Sequence, residues 1–295
     1  MLQCIKSVKL LKDIPKLGLL SSTNLLHTSQ ICHKKRSCCG PPKVAVVLCG
    51  CGALDGTEIS EAVSVAIHLS SKNIEPHFYA PDVNICGTVN HLTKDPDNCD
   101  PPRNALVEGA RLARAAIKPL CECRACDNAG LVIPGGWGAA RTLSDFASKG
   151  CDCVVLPELE RVIKEFNCAS RPIGSICIAS AILAKVLNGA KVTLGKDLYS
   201  RDFPPLYIPV VQNNDPSLPS IYVRTGPKEQ WVYSDAIEKV KQMGAKVELK
   251  DVKGVTHCKQ YNAYSTPAWM DTQASYADIH EGIGKMIAQM RKCIK

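Results

Sequence analysis

Pro172-Ile-Gly-Ser-Ile-Cys177-Ile-Ala-Ser-Ala-Ile-Leu-Ala-Lys-Val-Leu187 runs from a strand-like apolar segment into a helix-like one, with a single cysteine at the join. Ser175 and Ala179 stand two places to either side of Cys177. A nucleophile on a tight strand-to-helix turn needs a strained backbone, and bulk at the flanking positions would strike the neighbouring chain; small residues there mark a nucleophile elbow. The turn sets the sulfur beside a helix N-terminus, whose partial positive charge and free N–H groups favour thiolate over thiol. Of the 17 cysteines, Cys177 is the one with a reason to be reactive.

Outward from the elbow, strands and helices alternate. Lys43–Leu48 is a short apolar, β-branched run ending in Gly50-Cys51-Gly52, as in a buried parallel strand followed by a turn. Asp55 and Thr57 are placed to cap a helix in which Ile59, Val63, Ala66, Ile67 and Ser70 recur at helical spacing. A strand over Pro76–Ala80, a proline-rich loop, a helix over Asn104–Ile117 and a strand over Ala129–Ile133 follow, the last ending at Pro134-Gly135-Gly136. Helices are expected over Ala139–Ser148, Pro157–Phe166 and Ala179–Leu187, with a strand over Pro172–Ile176. Such alternation implies a parallel sheet covered on both faces, with ligands bound beyond the carboxyl ends of its strands. The loops after Leu48, Ile133 and Ile176 all fall at that edge.

Between Lys196 and Gln230 the periodicity stops, with six prolines and Asn213-Asn214-Asp215, and the segment reads as an inserted loop, a functional flap or an irregular excursion. Beyond it a helix over Tyr233–Met243, strands near Lys246–Leu249 and Ala263–Ser265, and a helix over Tyr276–Met290 restore the pattern.

Of the net charge of +8, +6 lies in residues 1–42, where seven basic residues face Asp13 alone. The remaining 253 residues are nearly neutral, so the electrostatic footprint of a nucleic-acid binder is missing. The leader interleaves Leu2, Ile5, Val8, Leu10 and Leu11 with lysines, then becomes Ser/Thr-rich from Ser21 to Ser29, which reads as a mitochondrial transit peptide or a disordered basic arm. Cleavage is expected between residues 25 and 42. The apolar run from Ile176 to Leu187 is broken by Lys185 and is too short to span a bilayer, so no membrane insertion is expected.

Cys121-x-Cys123-x-x-Cys126 with Cys151-x-Cys153 has the spacing of zinc ligands, but no histidine accompanies it and the segments fall where core strands and loops are expected. Buried cysteine as a small hydrophobe is the preferred reading, and no metal is expected.

Three loops assemble a candidate site. Cys177 is the nucleophile; the backbone N–H groups of Gly136 and Ile178 are candidate oxyanion donors; Gly135 and Gly136 leave room for backbone donors to approach a ligand; Glu58 is the candidate proton carrier. His91 and Asp55 are accessory candidates, with an N-cap the better reading of Asp55 and a surface histidine that of His91.

Pro134-Gly-Gly136 with Gly138 and Leu143-Ser144, the elbow, and an acid-rich turn after the first strand together resemble the class I glutamine amidotransferase-like superfamily in its DJ-one/PfpI branch. Cys49-Gly-Cys-Gly52 with Asp55-Gly-Thr-Glu58, Ala80-Pro-Asp82, Asn90-His-Leu92, Arg103-Asn104 with Glu108 and Ala110-Arg111, and Thr266-Pro-Ala268 are similar to the ElbB-type proteins and their mitochondrial relatives, the ES-one proteins. The likeness covers roughly residues 43–195 and 231–292. It implies a flavodoxin-like three-layer α/β/α sandwich, a homodimer in the mitochondrial matrix, and a glyoxalase activity on small 2-oxoaldehydes that requires no cofactor. The expected reaction class is a glyoxalase III-like hydro-lyase with a cysteine nucleophile. Amidotransferases of the superfamily pair their cysteine with a downstream His-x-Glu; here His257 is followed by Cys258-Lys259, which speaks against glutaminase activity. The other reading is a non-catalytic mitochondrial protein whose thiolate senses oxidation or whose surface recruits a partner.

Overall fold

The computed structural model describes residues 40–97, 100–196, 206–210, 221–225 and 233–294. The expected leader and its cleavage region, and most of the insertion, lie outside the described residues. The elements, in order, are β1 (Lys43–Val47), α1 (Ile59–Ser70), β2 (Glu75–Ala80), α2 (Ala105–Leu112), β3 (Ile117–Pro119), β4 (Gly130–Ile133), α3 (Trp137–Arg141), α4 (Phe146–Lys149), α5 (Pro157–Cys168), β5 (Ile173–Ile176) and α6 (Ser180–Val186). Then come β6 (Lys191–Val192), β7 (Leu206–Val210), β8 (Ile221–Thr225), α7 (Asp235–Gln242), β9 (Lys246–Val247), β10 (Thr256–Cys258), β11 (Ala263–Thr266) and α8 (Tyr276–Arg291).

The central sheet runs β10-β11-β5-β4-β1-β2-β3, parallel throughout except for the antiparallel edge strand β10. Its inner order β2-β1-β4-β5-β11 is that of a flavodoxin-like doubly wound sheet. The chain leaves β1 toward β2 on one side and takes up β4 on the other, so the strand order reverses beside β1. Right-handed crossovers then place helices on both faces. α1 packs against α8 and α2; α5 lies on β4 and β5 and against α6.

The elements follow from sequence in detail. In β1, Val44 to Val47 are all buried, as required of a strand covered on both faces. α5 starts with Pro157 in its first turn, where a missing N–H is harmless, and buries Leu159, Val162, Ile163 and Phe166, one stripe at helical spacing. α8 opens with a capping box, Ser275 accepting from the Asp278 N–H while the Asp278 carboxylate accepts from Ser275.

Several expectations needed correction. The helix expected over Asn104–Ile117 stops at Leu112; Arg114 and Ala115 take positive φ, and the chain re-enters the sheet as β3. The single helix expected over Ala139–Ser148 is two short ones, α3 and α4, with Ser144 bridged to Val155 between them. Lys246–Val247 pairs with β6 in a separate two-stranded sheet rather than extending the main one. Within the insertion, β7 and β8 pair antiparallel, so the proline-rich stretch contains a ladder that its irregular sequence pattern hides.

Candidate active site

The carboxyl ends of β1, β4, β5 and β11 converge on one cavity of about 320 Å³. β5 delivers Cys177, which begins a 3₁₀ turn, Cys177–Ala179, leading into α6. Its φ is +58°, a left-handed conformation that costs a residue with a Cβ about 1–2 kcal/mol. The surrounding turn holds it there: the hydroxyls of Ser175 and Ser180 meet at 3.1 Å beneath the bend, both buried. The small residues flanking the elbow thus do more than leave space.

β4 delivers Gly135 and Gly136. A Cβ on Gly135 would lie 2.6 Å from that of Cys177, and one on Gly136, where φ is +97°, would lie 2.4 Å from the carbonyl oxygen of Gly56. Both positions therefore require glycine. The Gly136 turn is clamped to the loop after β1 by Glu58 N–H to Gly135 O at 3.0 Å, Trp137 N–H to Ala53 O at 2.8 Å and Gly138 N–H to Gly56 O at 2.9 Å. The N–H groups of Gly136 and Ile178 are directed at the Cys177 sulfur. The Gly135 N–H has another task and is no oxyanion donor: it donates to Glu61 Oε2 at 2.7 Å.

Glu61, which the sequence reading passed over, is the carboxyl group that meets the sulfur. It is fully buried on α1 between the Gly135 N–H, the backbone of Trp269 and the thiol of Cys177. Burial, together with the negative charge of Glu58, pushes its pKa up to about 8. Glu61 is therefore mostly protonated at neutral pH and able to share a proton with Cys177. Its position was legible in principle: three residues after Glu58, it falls on the same helix face one turn inward.

Glu58 is the N-cap of α1, a role expected of Asp55. Its Oε2 accepts from the Glu61 N–H at 2.7 Å and from Ser60 Oγ at 2.6 Å, and Ser60 in turn accepts from Trp269 Nε1 at 2.8 Å. Glu58 still lines the cavity. One carboxyl group thus lies buried against the sulfur and a second faces the space a ligand would fill.

Asp55 is wholly buried away from the helix end, its Oδ2 accepting from the Val89 N–H at 2.9 Å and from Arg103 at 3.2 Å. His91 Nε2 accepts from the Leu54 N–H at 3.1 Å, while Nδ1 lies 3.1 Å from Val89 O, a pair of bonds satisfied by the tautomer protonated on Nδ1. Both residues tie the loop after β1 to the segment around Val89, and neither lines the cavity. His257 stacks on Tyr264 in the edge hairpin at 4.3 Å between ring centres.

The sulfur is not tuned as its place before a helix suggests. Cys177 is 7% exposed, and burial, followed by the charge of Glu61, pushes the thiol well above its ordinary value against the pull of the Ile178 and Gly136 N–H groups. Burial similarly raises Cys49 and Cys123 to about 12. Cys123 and Cys153 are buried whereas Cys121 and Cys126 are exposed, and among the described residues no group of three or more His, Cys, Asp or Glu side chains is placed to hold a metal ion.

A doubly wound sheet of this strand order, with a left-handed cysteine elbow at the carboxyl edge of its strands, defines a flavodoxin-like α/β/α protein of the nucleophile-elbow kind. No family model matches the chain. It is 39% identical over 251 residues to the rat ES1 protein homolog, mitochondrial, covering 84% of this chain and 82% of the relative. It is 38% identical to human glutamine amidotransferase-like class 1 domain-containing protein 3, mitochondrial, over 84% of this chain and 82% of that one. The crystal structure of an Ehrlichia chaffeensis isoprenoid biosynthesis protein with an amidotransferase-like domain superposes with a TM-score of 0.67 at 27% identity, covering 85% of this chain and 99% of the other. The chain belongs to the mitochondrial ES1 protein family.

Proposed function

We propose that this protein is a mitochondrial matrix enzyme that converts small 2-oxoaldehydes to 2-hydroxy acids without a cofactor, using Cys177 as nucleophile. The supporting observation is the grouping of an elbow cysteine and two backbone N–H groups aimed at its sulfur, all three lining a cavity, with the buried carboxyl of Glu61 behind the sulfur. Cys177 Sγ adds to the aldehyde carbon and its proton passes to the new alkoxide, giving a hemithioacetal. A carboxylate takes the proton from that carbon as the neighbouring carbonyl oxygen is protonated, giving an enediol, and returns a proton to the neighbouring carbon as the first carbon's hydroxyl loses its own; the first carbon is oxidised to a thioester and the second reduced to an alcohol. Water hydrolyses the thioester, releasing the 2-hydroxy acid and restoring the thiol. Glu61 is suited to exchange the thiol proton and Glu58, facing the cavity, to move the carbon-bound one.

The alternative, a thiol that senses peroxide, draws on the same sulfur, and the burial that raises it bears on both readings alike. Purified protein given methylglyoxal without glutathione is expected to form lactate, and Cys177→Ala to form none; equal turnover by Cys177→Ala would remove the nucleophile assignment. We propose also that the protein is a homodimer. Ile59, Val63 and Ile67, spaced four apart on α1, are 43–50% exposed, an apolar stripe with no covering element among the described residues.

A further inference from the structure

The cavity above Cys177 is larger and more aromatic than a three-carbon aldehyde needs. Two edge-to-face pairs form its walls: Trp137 with Tyr233, ring centres 5.6 Å apart, and Trp269 with Tyr276, 5.1 Å apart. Met270 adds a flexible apolar side chain that adapts to an irregular ligand. Two of the chain's three tryptophans are spent on this lining, in a protein only 5% aromatic. An apolar cavity of about 150 Å³ accepts benzene, which has more heavy atoms than methylglyoxal; at about 320 Å³ this one would be mostly water around so small a substrate. Among the described residues of its lining, Glu58 is the one carboxyl group and none is Lys or Arg, so a ligand carrying its own negative charge would face Glu58 with no counter-ion among them.

We infer that the preferred substrate is an uncharged 2-oxoaldehyde bearing a flat apolar group, an aryl ketoaldehyde, whose carbonyl end reaches Cys177 while the aryl group lies against the aromatic pairs. This rests on the activity proposed above and adds its substrate class. With the carbonyl end at the sulfur, the apolar group meets the lining rings of Trp137, Tyr233, Trp269 and Tyr276. Ring-on-ring contacts of this kind are geometrically selective, favouring a flat group over an equally apolar sphere.

Initial rates with phenylglyoxal and methylglyoxal test the selectivity. The expected ratio of kcat/KM is about ten to a hundred in favour of the phenyl compound, because each added apolar group in a fitted pocket is worth roughly tenfold or more. A ratio of one or below overturns the inference. Binding separates this outcome from failure of the activity itself. Cys177→Ser protein titrated with acetophenone and with acetone, neither a substrate, and followed by ligand-observed NMR is expected to bind acetophenone at least tenfold more tightly. Tyr276→Ala, which removes a mostly exposed wall residue, is expected to erase most of that preference. Absence of acetophenone binding, or a preference untouched in both Tyr276→Ala and Tyr233→Ala, overturns the inference even if methylglyoxal is turned over. Binding without turnover of either aldehyde would retain the pocket's selectivity and reject the enzymatic reading.

Discussion

Gly135, Cys177 and Glu61 occupy one contact, and each limits what the others can be. A methyl group on Gly135 would sit 2.6 Å from the cysteine Cβ, 2.8 Å from the Glu61 carboxylate and 3.0 Å from the Ile176 carbonyl oxygen, the first and last of which are fixed by the backbone. Gly135→Ala is therefore expected to destabilise the fold by about 1–3 kcal/mol, measured by denaturant unfolding. Glu61 makes a different contribution, through pH. Its folded pKa of about 8 exceeds its value in an unfolded chain, so between pH 4.5 and 8 the folded state holds the extra proton. Stability consequently falls as pH rises through that window, with a slope of up to about 1.4 kcal/mol per pH unit. Glu61→Gln is expected to flatten this slope, measured as the unfolding free energy from pH 4.5 to 8, and to let iodoacetamide alkylate Cys177 at lower pH, because a charge opposing thiolate formation is gone. An unchanged slope would show that Glu61 ionises in the fold as it does in water.

At the scale of elements, helix starts carry much of the site. α1 is capped by Glu58, whose carboxylate holds the first turn while its outer edge faces the cavity, so the same side chain serves structure and chemistry. α8 is capped by Ser275 and Asp278 next to Tyr276; Ser275→Ala is expected to cost about 1 kcal/mol in stability, read from thermal unfolding, and to loosen the aromatic wall that Tyr276 forms with Trp269. α5 anchors the opposite layer through Phe166, fully buried; its replacement by alanine is expected to cost about 3–5 kcal/mol in denaturant unfolding, without touching the cavity. Strand–helix alternation and the position of the elbow were readable because apolar runs, glycine turns and caps are local signals. The break at Arg114 and Ala115 was not: both are ordinary residues forced into positive φ where the chain must turn back to the sheet edge.

For the molecule as a whole, the apolar stripe on α1, left uncovered among the described residues, supports the proposed homodimer. Sedimentation equilibrium is expected to give a dimer for the native protein and a monomer for Val63→Asp, since an isologous contact places the substituted residue in the interface of both copies. A native monomer would remove the proposal. The helix that carries this stripe also carries Glu58 and Glu61 at its N-terminus, so the proposed dimer contact and the proposed proton carriers share one element.

The central strand–helix alternation, the elbow at Cys177, the glycines at 135 and 136 and the family likeness were present in the sequence, because each depends on residues close together in the chain. Tertiary structure decided which acid meets the sulfur. Glu58 and Glu61 are one helical turn apart and chemically alike; only the approach of β4 and of the chain after β11 buries one and leaves the other facing the cavity. It also reversed the expectation for the thiol, since a helix N-terminus acts locally whereas the desolvation that outweighs it is imposed by four strand ends and the loops packed over them.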